Sequence, residues 1–318
     1  MTTQSTAPHR VSGGRDSGDR VRGGRVRGGR MRTQGGRSVA GLILVLFVLF
    51  FVIPIIWLLF AVTKSSHALI VSNPFSVGSW ADFVANWNQL FGFQDGAVTL
   101  WIGNSTFYTL GALVITLVVS IPAGYALALT EFRLRKALLV LTLVVMLIPS
   151  TALVLPVFLE LNTVGLIGTP LSVILPMSFF PFGVYLTYIY FSTSIPRDLL
   201  AAARIDGCSE IQVFTRIALP LAAPIVALVA FFNFVQNWNN FFLPFVMLPS
   251  SDGYPIQVGL TSLLASTPAF NPSSAGSDSV QLPTLALATI VSILPVLIVF
   301  LFSQRFLVAG MTAGGTKE

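Results

Sequence analysis

The sequence predicts an all-α integral membrane protein with six transmembrane helices, and three observations carry that reading. Apolar residues make up 54 % of the 318 positions and charged residues 9 %, with a mean hydropathy of +0.82, values foreign to a soluble globule. Six apolar runs follow one another, each near the ~20 residues that carry a helix across a hydrocarbon layer of ~30 Å. Lys and Arg then fall almost entirely on alternate connections between the runs, the asymmetry that orients a multi-pass chain.

Residues 1–38 come first and differ from all that follows. They are rich in Arg, Gly, Ser and Thr, hold nine of the 18 basic residues and repeat VRGGR at 21–25 and 26–30. Such a segment cannot build a core and reads as a disordered cytoplasmic tail drawn to anionic lipid. It has no aromatic residue to stack on a base, so nucleic acid is not the expected partner. The apolar run after it is too long for a cleavable signal peptide and lacks a small-residue cleavage site.

The spans are expected at 39–62, 100–129, 137–159, 170–192, 219–247 and 283–304. Helices are the candidates because lipid offers no partner to an unpaired backbone group, and the runs lack the alternation of a barrel strand. With six spans, the tail, the 130–136 connection, the 195–220 connection and the C-terminus share one side and hold seventeen of the eighteen bases. Lys64 stands alone on the other. Both termini are therefore expected in the cytoplasm. On the opposite side, Trp80, Trp87, Phe91 and Trp101 read as interfacial anchors. The 160–169 connection is short enough to make spans three and four antiparallel neighbours, and 248–282 is a long loop without a base.

Pro54, Pro122, Pro149, Pro156, Pro176, Pro181, Pro224, Pro244 and Pro295 lie within spans, where each removes a backbone donor and tends to kink its helix. No ionisable side chain lies in the middle of any span. Gradient-driven carriers usually keep one there, so energy for pumping is expected from another protein. The polar groups inside are neutral. Tyr185, Asn233, Asn237 and Trp238 are candidates for a solute pathway, since hydroxyl and amide groups beside ring faces suit an uncharged polyhydroxylated solute; helix-to-helix hydrogen bonding is the competing role. One cysteine, Cys208, and two histidines, His9 and His67, leave no disulfide and no metal site to expect.

The 195–220 connection, IPRDLLAAARIDGCSEIQVFTRIALP, carries most of the chemistry. Pro196 suits a first helical turn after a cap at Ser194 or Ile195, Leu199–Ile205 holds strong helix formers, and Asp206-Gly207 stops them. A second short helix is expected from Ser209 to about Ile217. Helix, glycine break and helix make an exposed knob, narrowed by Ala201, Ala202 and Ala203.

This connection resembles the conserved cytoplasmic loop of binding-protein-dependent ABC importer permeases, whose pattern is Glu-Ala-Ala, three residues, Gly, nine residues, then Ile-x-Leu-Pro. Ala202-Ala203, Gly207 and Ile217-Ala218-Leu219-Pro220 keep that spacing, while Ala201 replaces the Glu and Asp198 keeps an acid one turn earlier. YALALTEFRLRK at 125–136, MLIPS at 146–150, NTVGLIGTPLSVIL at 162–175, NWNNFFLP at 237–244 and the ending QRFLVAGMTAGGTKE are similar to the carbohydrate-importing, MalG-like subfamily, with a family core of about 100–310. The resemblance implies a type I importer (MetI-like) permease fold over 39–318. It also implies a second permease subunit, an ABC ATPase dimer that uses ATP and Mg, and an extracytoplasmic solute-binding protein, all in a bacterial inner membrane. Asp198, Ala201, Ala202, Ala203, Asp206 and Gly207 would dock on the ATPase, and Gly310, Thr312 and Gly314 would reach it from the C-terminal tail. No phosphate-binding loop is present, so this chain is not expected to hydrolyse ATP. A sugar is the expected solute, a polyol or glycerol phosphate the alternative, and a stand-alone gradient-driven carrier the rival of another class.

Overall fold

The computed structural model describes the backbone of residues 32–276 and 279–313 and the side chains of 39–276 and 279–305; most of the Arg/Gly tail, residues 1–31, lies outside the described residues. Residues up to Pro54 and residues from Ile55 onward form two compact units, each taken by itself. The first holds most of α1 (Arg32–Ala61), apolar on every face from Val39 onward, as a helix against lipid must be.

Among its described residues, the second unit's regular elements are all helices. In chain order it holds α2 (Ser66–Val71), α3 (Trp80–Gly92), α4 (Ala97–Leu129), α5 (Arg135–Met146), α6 (Val154–Thr163), α7 (Leu171–Ser178), α8 (Pro181–Thr193), α9 (Arg197–Ile205) and α10 (Glu210–Val213). There follow α11 (Leu219–Leu221), α12 (Ala223–Trp238), α13 (Phe242–Met247), α14 (Ile256–Ala265) and α15 (Leu282–Ala313). Among the described residues of the chain, four stretches, one of them in α1, are long and apolar enough to span a membrane unaided. Two bent pairs, α5 with α6 at 99° and α10–α11 with α12 at 75°, bring the number to six if each is one span.

Helix α4 is the hub, packed against α7, α8 and α12. Gly124 explains the closeness to α8: a Cβ there would lie 2.5 Å from Thr187 Cβ and 2.9 Å from the Tyr188 backbone nitrogen. At one end of α4, Trp101, Asn104, Ser105 and Tyr108 recur at helical spacing and all bond the backbone of residues 251–256. The indole N–H donates to Ser251 O (3.1 Å), Asn104 Nδ2 to Asp252 O (2.7 Å) and the Tyr108 hydroxyl to Gly253 O (3.0 Å), while Ser105 Oγ accepts from Ile256 N (2.7 Å). Trp101 is fully buried over Gly259, so the structure replaces its expected interfacial place with a core one. Trp80 and Trp87 remain exposed. Lys64 is 1 % exposed, its ammonium donating to Asn73 O (2.6 Å) and Pro74 O (3.4 Å). It therefore ties down its own loop and is not available to a solute or a partner.

At the other end of α4 the terminal carbonyls face Arg135, which donates from Nε to Leu127 O (2.6 Å) and from Nη2 to Ala128 O (3.1 Å). A cation at a helix C-terminus also opposes the macrodipole. Below this end Ile121, Tyr125, Phe191, Leu200, Ala203, Val213, Ala218 and Val229 close one core cluster, which joins α9 and α10 to the spans.

Candidate coupling loop and transmembrane cavity

The 195–220 segment forms the helix, turn and helix its sequence predicts, shifted by one residue at the start. Pro196 is itself the N-cap, in extended backbone, and Arg197 begins α9. Asp198 lies in the first turn, where an acid favours the helix dipole. Leu200 and Ala203, three apart, are buried in the cluster below.

Away from that cluster the knob exposes large aliphatic side chains among charged ones. Ile205 is 85 % and Ile211 75 % exposed, with Leu199 at 45 %. Ala201 and Ala202 are exposed beside them and add no bulk.

What holds the knob in shape is local. Gly207 has φ +87° and closes α9 with paired bonds, Gly207 N to Arg204 O (3.1 Å) and Cys208 N to Ala203 O (3.0 Å), the geometry of a Schellman end. Ser209 then opens α10 with a capping box, its Oγ accepting from Gln212 N while Gln212 Oε1 accepts from Ser209 N (2.9 Å). Across the turn Arg204 grips Glu210 with both prongs, Nε to Oε1 at 2.6 Å and Nη2 to Oε2 at 3.2 Å. That fork is chiefly what holds the Glu210 carboxyl below its ordinary range and raises the guanidinium further. The Tyr125 hydroxyl of α4 donates to the same carboxylate at 3.4 Å, and its ring meets Phe191 and Phe214. Sequence spacing pointed to Gly207; it did not point to Arg204, Glu210 and Tyr125, whose relation exists only once the chain turns back on itself. Asp206, the C-cap of α9, is exposed. The backbone at Gly310 and Thr312 continues α15, and Gly314 lies outside the described residues.

Three helix breaks come together, two inside candidate spans and one just past the end of a third, which the sequence predicts to run on to 247. One separates α5 from α6 at 147–149, one separates α7 from α8 at Phe179-Phe180, and one separates α12 from α13 at 239–241. Each has a proline near it: Pro149, Pro181 and Pro244. Pro181 cannot donate to Met177 O, and Asn237 Nδ2 of α12 does so instead at 3.2 Å; Thr116 Oγ1 of α4 donates to Ser178 O at 2.9 Å. The break in α7–α8 is thereby sealed by its neighbours.

Of the four predicted pathway residues, Asn233 and Asn237 meet, Nδ2 of the second donating to Oδ1 of the first at 3.1 Å. Trp238 is buried away from them, stacked on Phe234 and donating to Ser292 O at 2.9 Å. Tyr185 is half-buried on α8, its ring stacked on Tyr188. Beside the three breaks lies a cavity of about 630 Å³, and Asn237 alone of the four lines it. Its other polar walls are Ser150, Thr151, Glu160, Gln236, Asn239 and Asn240.

Together, apolar helices sufficient for six spans among the described residues, broken beside a cavity and joined to an exposed helix-turn-helix knob, fit a multi-pass transport permease. Residues 120–313 match the family described as binding-protein-dependent transport system inner membrane component, and the chain belongs to that family. It is 35 % identical over 224 residues to the arabinooligosaccharides transport system permease protein AraQ of Halalkalibacterium halodurans, covering 70 % of this chain and 76 % of that protein. It is 32 % identical over 267 residues to the sulfoquinovosyl glycerol transport system permease protein SmoH of Agrobacterium fabrum, covering 83 % and 88 %. Among solved structures, a bacterial ABC transporter involved in the import of the acidic polysaccharide alginate superposes with a TM-score of 0.75 at 25 % identity, over 86 % of this chain and 97 % of that one.

Proposed function

We propose that this chain is one of two permease subunits of an ATP-binding-cassette importer that takes a sugar or related polyhydroxylated solute into the cell by alternating access. The observation that carries the reading is the exposed apolar face of Leu199, Ile205 and Ile211 on a knob braced by the Gly207 turn and the Arg204–Glu210 fork. A surface of that kind both needs a partner and can take force from one. Family membership and sugar-transporting relatives support the rest.

In this account a separate ATPase dimer, using ATP and Mg, seats the knob and closes on nucleotide. Asp198, Ala201, Ala202, Asp206 and Gly207 form the seat, while Ala203, expected among them, is buried and supports it from beneath; the tail through Gly310, Thr312 and Gly314 adds a second contact. A shift of the knob is passed to the spans because Leu200, Ala203 and Val213 share one buried cluster with Phe191 of α8 and Val229 of α12, while Tyr125 ties Glu210 to α4. Displacement therefore reaches the spans that surround the cavity. A second, different permease completes the pathway, a solute-binding protein delivers from outside, and both termini lie in the cytoplasm of a bacterial cell. The chain itself catalyses no reaction. An Ile205→Asp, Ile211→Asp double variant, expressed with its partner permease, should insert normally and lose the co-purifying ATPase. Undiminished ATPase recovery would overturn the assignment of this face.

A further inference from the structure

We infer that this subunit itself holds the solute in transit, in the cavity beside the three helix breaks, and that the cavity accepts neutral polyhydroxylated solutes and turns away anionic ones. The inference rests on the importer reading above and adds the site and its charge preference.

The breaks at 147–149, 179–180 and 239–241 fall inside expected spans three, four and five. Irregular backbone at membrane depth persists where it is buried in protein or lines a wetted cavity, and broken helices are a recurring way to build a solute site there. Here all three breaks contribute to one wall: Ser150, Phe179 and Asn240 lie at or next to them, and each lines the same space. Its volume, about 630 Å³, falls among those of small-molecule pockets.

The chemistry of the lining narrows the occupant. The side chains of Glu160 and Gln236 make no hydrogen bond or ion pair among the described residues, so both are available to a guest. Asn240 spends its Oδ1 on Leu243 N (3.3 Å), and its Nδ2 is a donor that no described residue uses. A carboxylate accepts from adjacent hydroxyls, the two amides can donate, and the rings of Phe179 and Phe241 offer faces to C–H surface. No Lys, Arg or His lines the cavity among the described residues. A carboxylate, sulfonate or phosphate on the solute would meet Glu160 with no cation of this chain's described lining to neutralise it.

The test uses the importer assembled with its partner permease and ATPase in nanodiscs, without binding protein. Saturation-transfer NMR reads contact with two probes, lactose and digalacturonate. Lactose should give a signal in the wild type that weakens roughly ten- to hundredfold in apparent affinity in Glu160→Ala and in Gln236→Ala, the range for losing hydrogen bonds to charged or polar groups. Digalacturonate should give none in the wild type and gain signal in Glu160→Gln. Unfolding midpoints of the variants within a degree or so of wild type separate site loss from misfolding; a variant that fails this control is replaced by Glu160→Gln or Gln236→Glu, read with lactose. No lactose signal, a lactose signal indifferent to these substitutions, or equal binding of both probes overturns the inference. ATP-driven uptake that persists alongside any of those results would leave the importer reading intact, so the two fail separately.

Discussion

If the Gly207 turn sets the docking surface, substitutions there should rank by backbone conformation rather than by size. The residue sits at φ +87°, and a Cβ built on it meets nothing within 4 Å. Added atoms therefore do not clash within the chain, and the penalty is the left-handed backbone, about 1–2 kcal/mol for an ordinary L-residue. A β-branched residue pays toward the upper part of the ~1–3 kcal/mol range, whereas Asn visits this region readily. One or two kcal/mol corresponds to roughly a 5- to 30-fold change in population. Gly207→Ala should thus weaken ATPase docking on the permease pair by about that factor, Gly207→Val by more, and Gly207→Asn by little although its side chain is larger than Ala. Binding of the purified ATPase to the reconstituted permeases, with solute-stimulated ATP hydrolysis alongside, reads the series. If Asn proved worse than Ala, bulk against the partner would be the operative effect, and if all three matched wild type the turn would not position the knob.

The Arg204–Glu210 fork is exposed, so Glu210→Gln should lower loop stability by only ~0.2–1 kcal/mol, and Arg204→Lys should recover part of the docking but not the fork. Because the Glu210 carboxyl is held below its ordinary 4.5, its contribution is complete above that value and is lost as pH falls through the lower folded value. Docking should accordingly be flat from roughly pH 5.5 to 8 and fall only in acid, and a wild-type transition near neutrality that Glu210→Gln abolishes would contradict this. Asn237→Leu strands the Met177 carbonyl inside the bundle and should lower stability by about 1–3 kcal/mol, seen as a reduced thermal midpoint. An unchanged midpoint with altered solute affinity would instead make Asn237 a solute contact.

Much of the fold follows from local chemistry that a sequence displays openly. Apolar runs of the right length, the basic side, and Pro196, Gly207 and Ser209 as punctuation of the loop are all properties of neighbours in the chain. What escaped is non-local. Pro149 announces a kink, yet the 99° between α5 and α6 depends on what they pack against. Trp101 looks like an interfacial ring until residues 251–256 fold over it and supply a carbonyl to its N–H. Asn237 and Trp238 were singled out as polar or aromatic groups in a span, but a freed carbonyl across the bundle claims the first and Ser292 the second. Glu160 stands near the end of its apolar run in sequence, and on α6 it reaches the cavity wall.

The central claim is that solute movement through this chain is driven by ATP hydrolysed in another subunit. Proteoliposomes holding the two permeases and the ATPase, with solute-loaded binding protein outside and ATP inside, should accumulate labelled solute, and omitting the ATPase or ATP should reduce accumulation to background. Accumulation by this chain alone, powered by an ion gradient and indifferent to ATP, would contradict the account.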